Sequence, residues 1–271
     1  MPKTLLKIVC EKCQGNPLHA KQILAWAIDN KVITYDDEHN LIFQEGIDMK
    51  FPESVKGAIL SRLDTLDPEL LEFLKVASCV GYKFPIDLVG EVCSSEDTPI
   101  TADAANWLIQ AGFIKKNSIN SYQFCQHVVL SCANELLMDR QRFVIHRRIA
   151  NGLKARGKCE FGQLAHHYEE ADMEEQAIKA WEAAAKSSLE TYNFQSAVSQ
   201  YMSAIRIITS EKKGKRGSNV ANEAIVIEGV SNHAGVTLSV LQRNLAGVLR
   251  KVSERSERTL MKTRIRATRL N

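Results

Sequence analysis

Three clusters of side chains carry residue types used in metal binding, phosphate binding or catalysis. Cys10 and Cys13 form a Cys-x-x-Cys pair. A zinc ribbon needs a second such pair and a redox dithiol needs a βαβ setting; neither pattern is present, so the spacing reads as two thiols on one helical turn. Gly152 to Cys159 (GLKARGKC) imitates a phosphate-binding loop. A true loop of this kind joins a strand to a helix, so that backbone N–H groups cradle phosphates, and ends in Ser or Thr to hold Mg²⁺. Here a basic helical pattern comes first and Cys159 stands in place of the hydroxyl, so the string reads as the frayed end of that helix. His166 and His167, with Glu169 and Glu170, lack the i, i+4 histidine pair of helical zinc proteases. Carboxylates elsewhere have the spacing of solvated helix faces. The chain by itself is therefore expected not to be an enzyme.

The elements that would position a site are mostly helical. Two helical stretches between Thr4 and Asn30 are separated by Gln14-Gly15-Asn16-Pro17, where Gly and Pro suffice to make an interhelical turn. Leu18, Ile23, Leu24, Ala27 and Ile28 form the apolar stripe of the second stretch. Val32 to Tyr35 and Leu41 to Phe43 flank a polar cluster, which predicts a short hairpin. Pro52-Glu53 predicts a helix start, with Val55, Ile59, Leu60 and Leu63 on its face. Asp67-Pro68-Glu69 predicts another, carrying Leu70, Leu71, Leu74, Val76 and Ala77 and ending at Gly81. Phe84-Pro85 is expected to open a further helix, and Thr101 to cap one running to Gly112. A second hairpin over Phe113 to Phe124 then completes a winged-helix pattern.

From His127 the pattern is helical throughout: to about Met138, then Asp139 to about Arg156, Phe161 to Glu170, Met173 to Tyr192 and Phe194 to Thr209. The last three echo each other. Ala165 precedes Ala177 by 12 residues and Ala185 precedes Ala197 by 12, and each second alanine is followed by an aromatic at +4 (Trp181, Tyr201) and an alanine at +7 (Ala184, Ala204). Small residues let antiparallel helices approach while the aromatic fills the groove, as in tetratricopeptide-type repeats, although the period here is 20 rather than 34. Generic helical hairpins are the plainer reading. The expected fold is thus mainly α: a helical segment, a winged helix with two short hairpins, then tetratricopeptide-like helices.

Charge divides the chain. Residues 211–271 carry 13 Lys/Arg against 5 Glu, a balance of +8, and residues 1–210 carry 22 Lys/Arg against 27 Asp/Glu, a balance of −5. All 18 aromatics lie at or before Tyr201. The segment from Glu211 to Ser218 has a linker composition, and Ala224 to Gly229 and Val236 to Leu249 are candidate helices, the latter with Leu238, Leu241, Leu245 and Leu249 on one face. Arg250 to Asn271 has little to bury and is expected to fray. No apolar run approaches the roughly 18 residues of a membrane span, and no signal-peptide pattern precedes Gly15. The 7 cysteines are scattered among apolar neighbours, which suits a reducing cytoplasm.

A winged helix invites a nucleic-acid reading, which needs Lys/Arg to neutralise phosphates. Between Phe84 and Ile114 there is no Lys or Arg, while Asp87, Glu91, Glu96, Asp97 and Asp103 are all acidic. The would-be recognition helix would repel a duplex, which favours protein contact. Basic residues concentrate instead at Arg140, Arg142, His146, Arg147, Arg148, Lys154 and Arg156. This stretch reads as a solvated face, with a contact for an acidic partner or an ATPase domain as the alternative.

Phe51 to Glu69 (FPESVKGAILSRLDTLDPE) and Leu74 to Phe84 (LKVASCVGYKF) resemble the segment after the ATPase core in signal-transduction ATPases with numerous domains. Gln163 to Asp172 (QLAHHYEEAD) and Glu175 to Trp181 (EQAIKAW) are similar to the start of their helical-repeat region. The likeness covers roughly residues 4–210 and is nearest in flavour to the regulatory part of soluble adenylyl cyclases. It implies an upstream P-loop ATPase, with cyclase domains before that in the cyclases. It also implies remnant nucleotide contacts: Gly15, Asn16 and Pro17 are similar to the family's Gly-x-Pro element, whose proline packs on adenine. In the family's Phe-x-His a histidine senses phosphates at the winged-helix edge; in Phe124-Cys125-Gln126-His127, Gln126 holds that place and His127 stands one residue beyond. On the residues alone His127 is a capping or core histidine.

The segments are then residues 1–50 (the end of an ATPase core), 51–126 (winged helix), 127–210 (helical linker and repeats) and 211–271 (basic tail). The expected function is a non-catalytic regulatory part that couples nucleotide state to effector domains. A free-standing helical-repeat adaptor is the alternative, and a nucleic-acid-binding module a more distant one. The expected partners are proteins or upstream ATPase and cyclase domains, with no membrane, and ATP or ADP would come only with such a domain.

Overall fold

The computed structural model describes residues 3–35, 41–43, 51–93, 102–157, 160–217 and 239–253. The capping Thr101, the end of the P-loop-like string at Lys158-Cys159, the candidate helix 224–229 and Leu238 lie outside the described residues. The chain is mainly helical, with two small antiparallel sheets, and divides into the compact units Met1–Gly152 and Leu153–Asn271.

The first unit opens with α1 (Lys3–Cys13) and α2 (Pro17–Asp29), followed by the hairpin β1 (Ile33–Tyr35) and β2 (Leu41–Phe43), in which Ile33 faces Phe43. Leu5, Val9, Ile23, Trp26, Ala27, Val32 and Ile33 form one buried cluster. The α2 stripe is rotated from the expected one. His19, Gln22, Ile23, Trp26 and Ala27 are buried, while Ile28 is exposed. Gln22 is paired there with Arg62 and Gln126, while His19 Nε2 is buried without a hydrogen-bond partner among the described residues, so apolar character alone does not identify the packed side.

Next come α3 (Val55–Asp64), α4 (Pro68–Val80), β3 (Lys83–Pro85), α5 (Ile86–Cys93), α6 (Ala102–Gln110), β4 (Ile114–Lys116) and β5 (Ser121–Phe124). The order helix, strand, two helices and hairpin, with the sheet ordered β3-β5-β4, is that of a winged helix. Two expected boundaries are corrected. The helix expected after Phe84-Pro85 does begin at Ile86, but Phe84 and Pro85 themselves end a strand in which Phe84 pairs with Tyr122 and Pro85 with Ser121. A residue before proline prefers extended backbone, and β3 is an edge strand, where the missing N–H is tolerated. Pro52 does not lie in the first turn of α3 either, because Ser54 caps that helix by accepting the Gly57 N–H at 3.0 Å. Phe73, Phe84, Leu88, Leu108, Phe113 and Phe124 are buried between helices and sheet, and the Phe84 and Phe124 rings lie 5.5 Å apart.

The unit continues through α7 (His127–Glu135) into α8 (Asp139–Arg156), inside which the division between units falls. Helix α7 stops short of the expected Met138. Burial pushes the Cys93 thiol up from its ordinary 9.0 to about 12, with Glu72 adding to the rise and Arg148 opposing it. Burial raises Cys132 as well. A raised thiol stabilises the fold fully below its unfolded pKa, and that contribution is lost as pH climbs through the folded value. Melting temperature is therefore expected to hold near pH 7 and to fall progressively above about pH 9. Cys93→Ala should flatten part of that alkaline fall in a series of thermal melts; an identical alkaline profile would contradict the assignment.

The second unit contains α9 (Phe161–Glu170), α10 (Glu174–Glu190), α11 (Phe194–Gly217) and a last helix, α12 (residues 239–253). The echo read from the sequence appears as two turns of the same geometry. Asp172 and Tyr192 both have φ of +57°. Met173 N–H donates to Tyr168 O at 2.9 Å, and Asn193 N–H donates to Ser188 O at 2.8 Å. Ala165, Ala177, Ala184, Ala185, Ala197 and Ala204 are all buried where the helices meet, and Tyr201 fills the space beside them at 2% exposure.

Two expectations about the basic end are corrected. Helix α11 does not stop at Thr209 but continues through the supposed linker, since Glu, Lys and Arg are good helix formers and an isolated Gly costs only about 1 kcal/mol. Leu241 and Val248 of α12 are buried with Tyr201 and Ile208, and Leu245 packs against them. The packed face is 241, 245 and 248; Leu249 is exposed.

Candidate functional site

The turn between α1 and α2 reverses the chain with two successive left-handed residues, Gln14 (φ +47°) and Gly15 (φ +80°). Glycine is needed here for its backbone freedom rather than for space, because nothing lies within 4 Å of a Cβ built at Gly15. Asn16 is the N-cap of α2, its Oδ1 accepting the N–H groups of Leu18 at 3.0 Å and His19 at 3.2 Å. Pro17, exposed, occupies the first helical position, where its missing N–H and fixed φ suit the helix. Each of Gly15, Asn16 and Pro17 thus has a complete local role.

One turn further along, α2 buries His19 and Gln22. Gln22 Nε2 donates to Gln126 Oε1 at 3.0 Å. Gln126 has the extended backbone of an N-cap for α7, but its side chain makes no capping bond and reaches α2 instead. The structure therefore brings Gln126 within one helical turn or two of Gly15-Asn16-Pro17. His127, exposed at the start of α7, turns aside and stacks on Tyr82, with ring centroids 4.1 Å apart and planes 11° from parallel. Its neighbour Cys125 has its thiol pushed up by burial, opposed by the nearby cations Lys21 and Lys115.

The network continues to a residue that sequence reasoning passed over. Arg62 of α3 is 2% exposed. Its Nη1 donates to Gln22 Oε1 at 2.8 Å, its Nε to Asp29 Oδ2 at 2.5 Å and its Nη2 to Ala111 O at 2.6 Å. Its guanidinium carbon also lies 4.4 Å from the centre of the Phe113 ring, a cation–π distance. One side chain thus joins α2, the end of α6 and the start of the wing, while Gln22 extends the line to the β5–α7 junction. The available signal was spacing: Gln22 and Asp29 stand two helical turns apart, on one face of α2, and Arg62 falls in the buried stripe of α3 with Ala58 and Ile59. This arrangement clamps helices together. It presents a guanidinium whose three nitrogens each already donate a hydrogen bond, and a thiol that burial keeps from ionising readily.

Cys10 and Cys13 do lie on one turn of α1, with Cys13 Sγ donating to Cys10 O at 3.7 Å. Of the His–Glu cluster, His167 is buried, and Glu169 accepts from Trp181 Nε1 at 3.1 Å and from Arg206 Nη2 at 2.5 Å. Glu169 is therefore held by partners rather than lying on a solvated face. Among the described residues no group of three or more His, Cys, Asp or Glu is placed to hold a metal ion, and no helix is long and apolar enough to cross a membrane.

No family model matches the chain, and no solved structure matches it. An uncharacterized protein of Rhizobium meliloti (strain 1021) is 24% identical over 181 residues, covering 64% of this chain and 17% of that protein. The matched stretch is thus about a sixth of the relative's length.

Proposed function

We propose that the chain is a non-catalytic coupling part of a larger multidomain ATPase of the signal-transduction type, nearest to cyclase-linked ones. In this reading α1, α2 and the first hairpin end an ATPase core, the winged helix receives their movement, and tetratricopeptide-like helices pass it to an effector. The observation that carries the proposal is the polar line from Gln126 through Gln22 to Arg62, which ties α2 to the winged helix; Gln126 at its end stands where the resembled family is expected to contact nucleotide. A rigid-body signal needs such a tie, because packed, bonded elements move together. The long relative gives further support, since there a similar stretch is a small part of a much longer protein.

The full-length transcript that encodes this chain tests the proposal. Its open reading frame is expected to extend upstream through a Gly-x-x-x-x-Gly-Lys-Ser/Thr motif. An in-frame stop codon directly upstream, or ATP hydrolysis by this chain alone, would contradict it. The stop codon would favour the free-standing adaptor, a reading that rests on the alanine-lined helix pair of the second unit. Duplex binding is disfavoured by α6, whose exposed residues Asp103, Asn106, Trp107 and Gln110 include no cation. Nanomolar duplex binding at physiological salt would overturn both protein-contact readings.

A further inference from the structure

A groove of ≈ 530 Å³ runs between α4 and α8 in the first unit. Leu71 and Lys75 line it from α4, and Arg140, Val144, Ile145 and Arg148 from α8. Both helices contribute residues at i, i+4 spacing, so the lining residues of each helix are surface neighbours one turn apart. Leu71 and Ile145 form a half-buried apolar floor, and Val144 is 40% exposed within it. Three cations edge that floor against a single acid, Glu72.

The cations are placed rather than scattered. Arg148 Nη1 donates to Val92 O at 3.2 Å, which fixes the side chain at the edge of the groove. Arg142, on the same helix, is already engaged elsewhere, with Asn134 Oδ1 at 2.6 Å. Lys75 and Arg140 have no carboxylate within 4.0 Å among the described residues. An apolar floor between cationic edges contributes nothing to a phosphate backbone but suits a helix with an apolar stripe flanked by carboxylates. A groove lined by two helices is also the kind of surface into which the side-chain ridge of a third helix packs.

The geometry points to a docking site for an acidic amphipathic helix of a partner protein, its apolar stripe on Leu71, Val144 and Ile145 and its carboxylates on Lys75, Arg140 and Arg148. This inference stands apart from the proposed function, since it requires no ATPase domain. The probe is a fluorescein-labelled four-turn peptide with leucines at helical spacing flanked by glutamates. Its anisotropy is followed as the full chain is titrated at physiological salt. Saturable binding is expected with a dissociation constant on the order of 10 µM. The same leucine frame carrying lysines, and a polyglutamate of equal length, should each bind at least roughly tenfold more weakly. Arg140→Glu and Val144→Asp change exposed side chains, so both should melt like the parent, and each should weaken the acidic peptide roughly fivefold or more. The site is overturned if the acidic peptide does not saturate, if the lysine peptide binds as well, or if neither substitution matters. Displacement of the peptide by an equimolar DNA duplex would also overturn it, in favour of a nucleic-acid surface.

Discussion

Arg62→Ala is expected to lower the stability of the first unit by about 3–5 kcal/mol, the cost typical of breaking a buried ion pair by removing one partner. The guanidinium is 2% exposed and lies between Asp29, Gln22, the Ala111 carbonyl and the Phe113 ring. Truncation leaves the buried Gln22 and half-buried Ala111 acceptors without that donor and opens a cavity among large side chains. Asp29 is 26% exposed at its side chain, so water recovers part of its charge and the loss should stay within that range. At roughly 2–4 °C per kcal/mol the melting transition of the unit should fall by about 6–20 °C. Arg62→Met together with Asp29→Asn should recover part of the loss, because the cavity is filled and no unpaired charge remains, while the Gln22 and Ala111 acceptors still lack their donor. A shift in Arg62→Ala no larger than that of an ordinary surface substitution would contradict the network.

The second large effect is expected in the basic end of the chain. Leu241→Ala should cost the second unit about 2–5 kcal/mol, the range for deleting a buried leucine. Leu241 is 0% exposed and packs in one cluster with Tyr201 and Ile208, so α12 contributes to the core of this unit. Urea unfolding of the whole chain, followed by hydrogen exchange in peptides from α10 and α11, should show the loss there. In the same experiment Leu249→Ala should change stability by no more than about 0.5 kcal/mol, since Leu249 is 49% exposed. Equal effects of the two substitutions would show that α12 does not pack through Leu241.

Much of the helical order was legible because its punctuation is local. Gly15-Asn16-Pro17 ends one helix and caps the next through its own backbone and side chain, so residue type was enough. The helical patterns of Phe161 to Glu170, Met173 to Tyr192 and the stretch from Phe194 likewise placed the turns that separate α9, α10 and α11. What failed was any inference that equated apolar with packed. Helix α2 buries Gln22 rather than Ile28 because Gln22 has partners on two other elements, and those partners lie 40 and 104 residues away in sequence. The same distance hid Arg62, whose donors are satisfied by α2 and by the end of α6. Phe84-Pro85 misled for a related reason: proline marks helix starts and edge strands alike, and only the pairing with Tyr122 and Ser121 decides between them. In the basic end the helical spacing was legible and Leu241 and Leu245 pack as expected, but the buried row continues to Val248 rather than Leu249.

The coupling account rests on α2 and the wing opening and closing as one. Native-state hydrogen exchange on the full chain measures this directly, by comparing the opening free energies of amides in α2 with those in β4 and β5. A common value is expected for the two segments, and Gln22→Leu, which removes the acceptor for Arg62 and the donor to Gln126, should lower both together by about 1–3 kcal/mol. If α2 opens independently at much lower free energy, or if Gln22→Leu changes α2 and leaves the wing untouched, then the polar line is local packing and couples nothing.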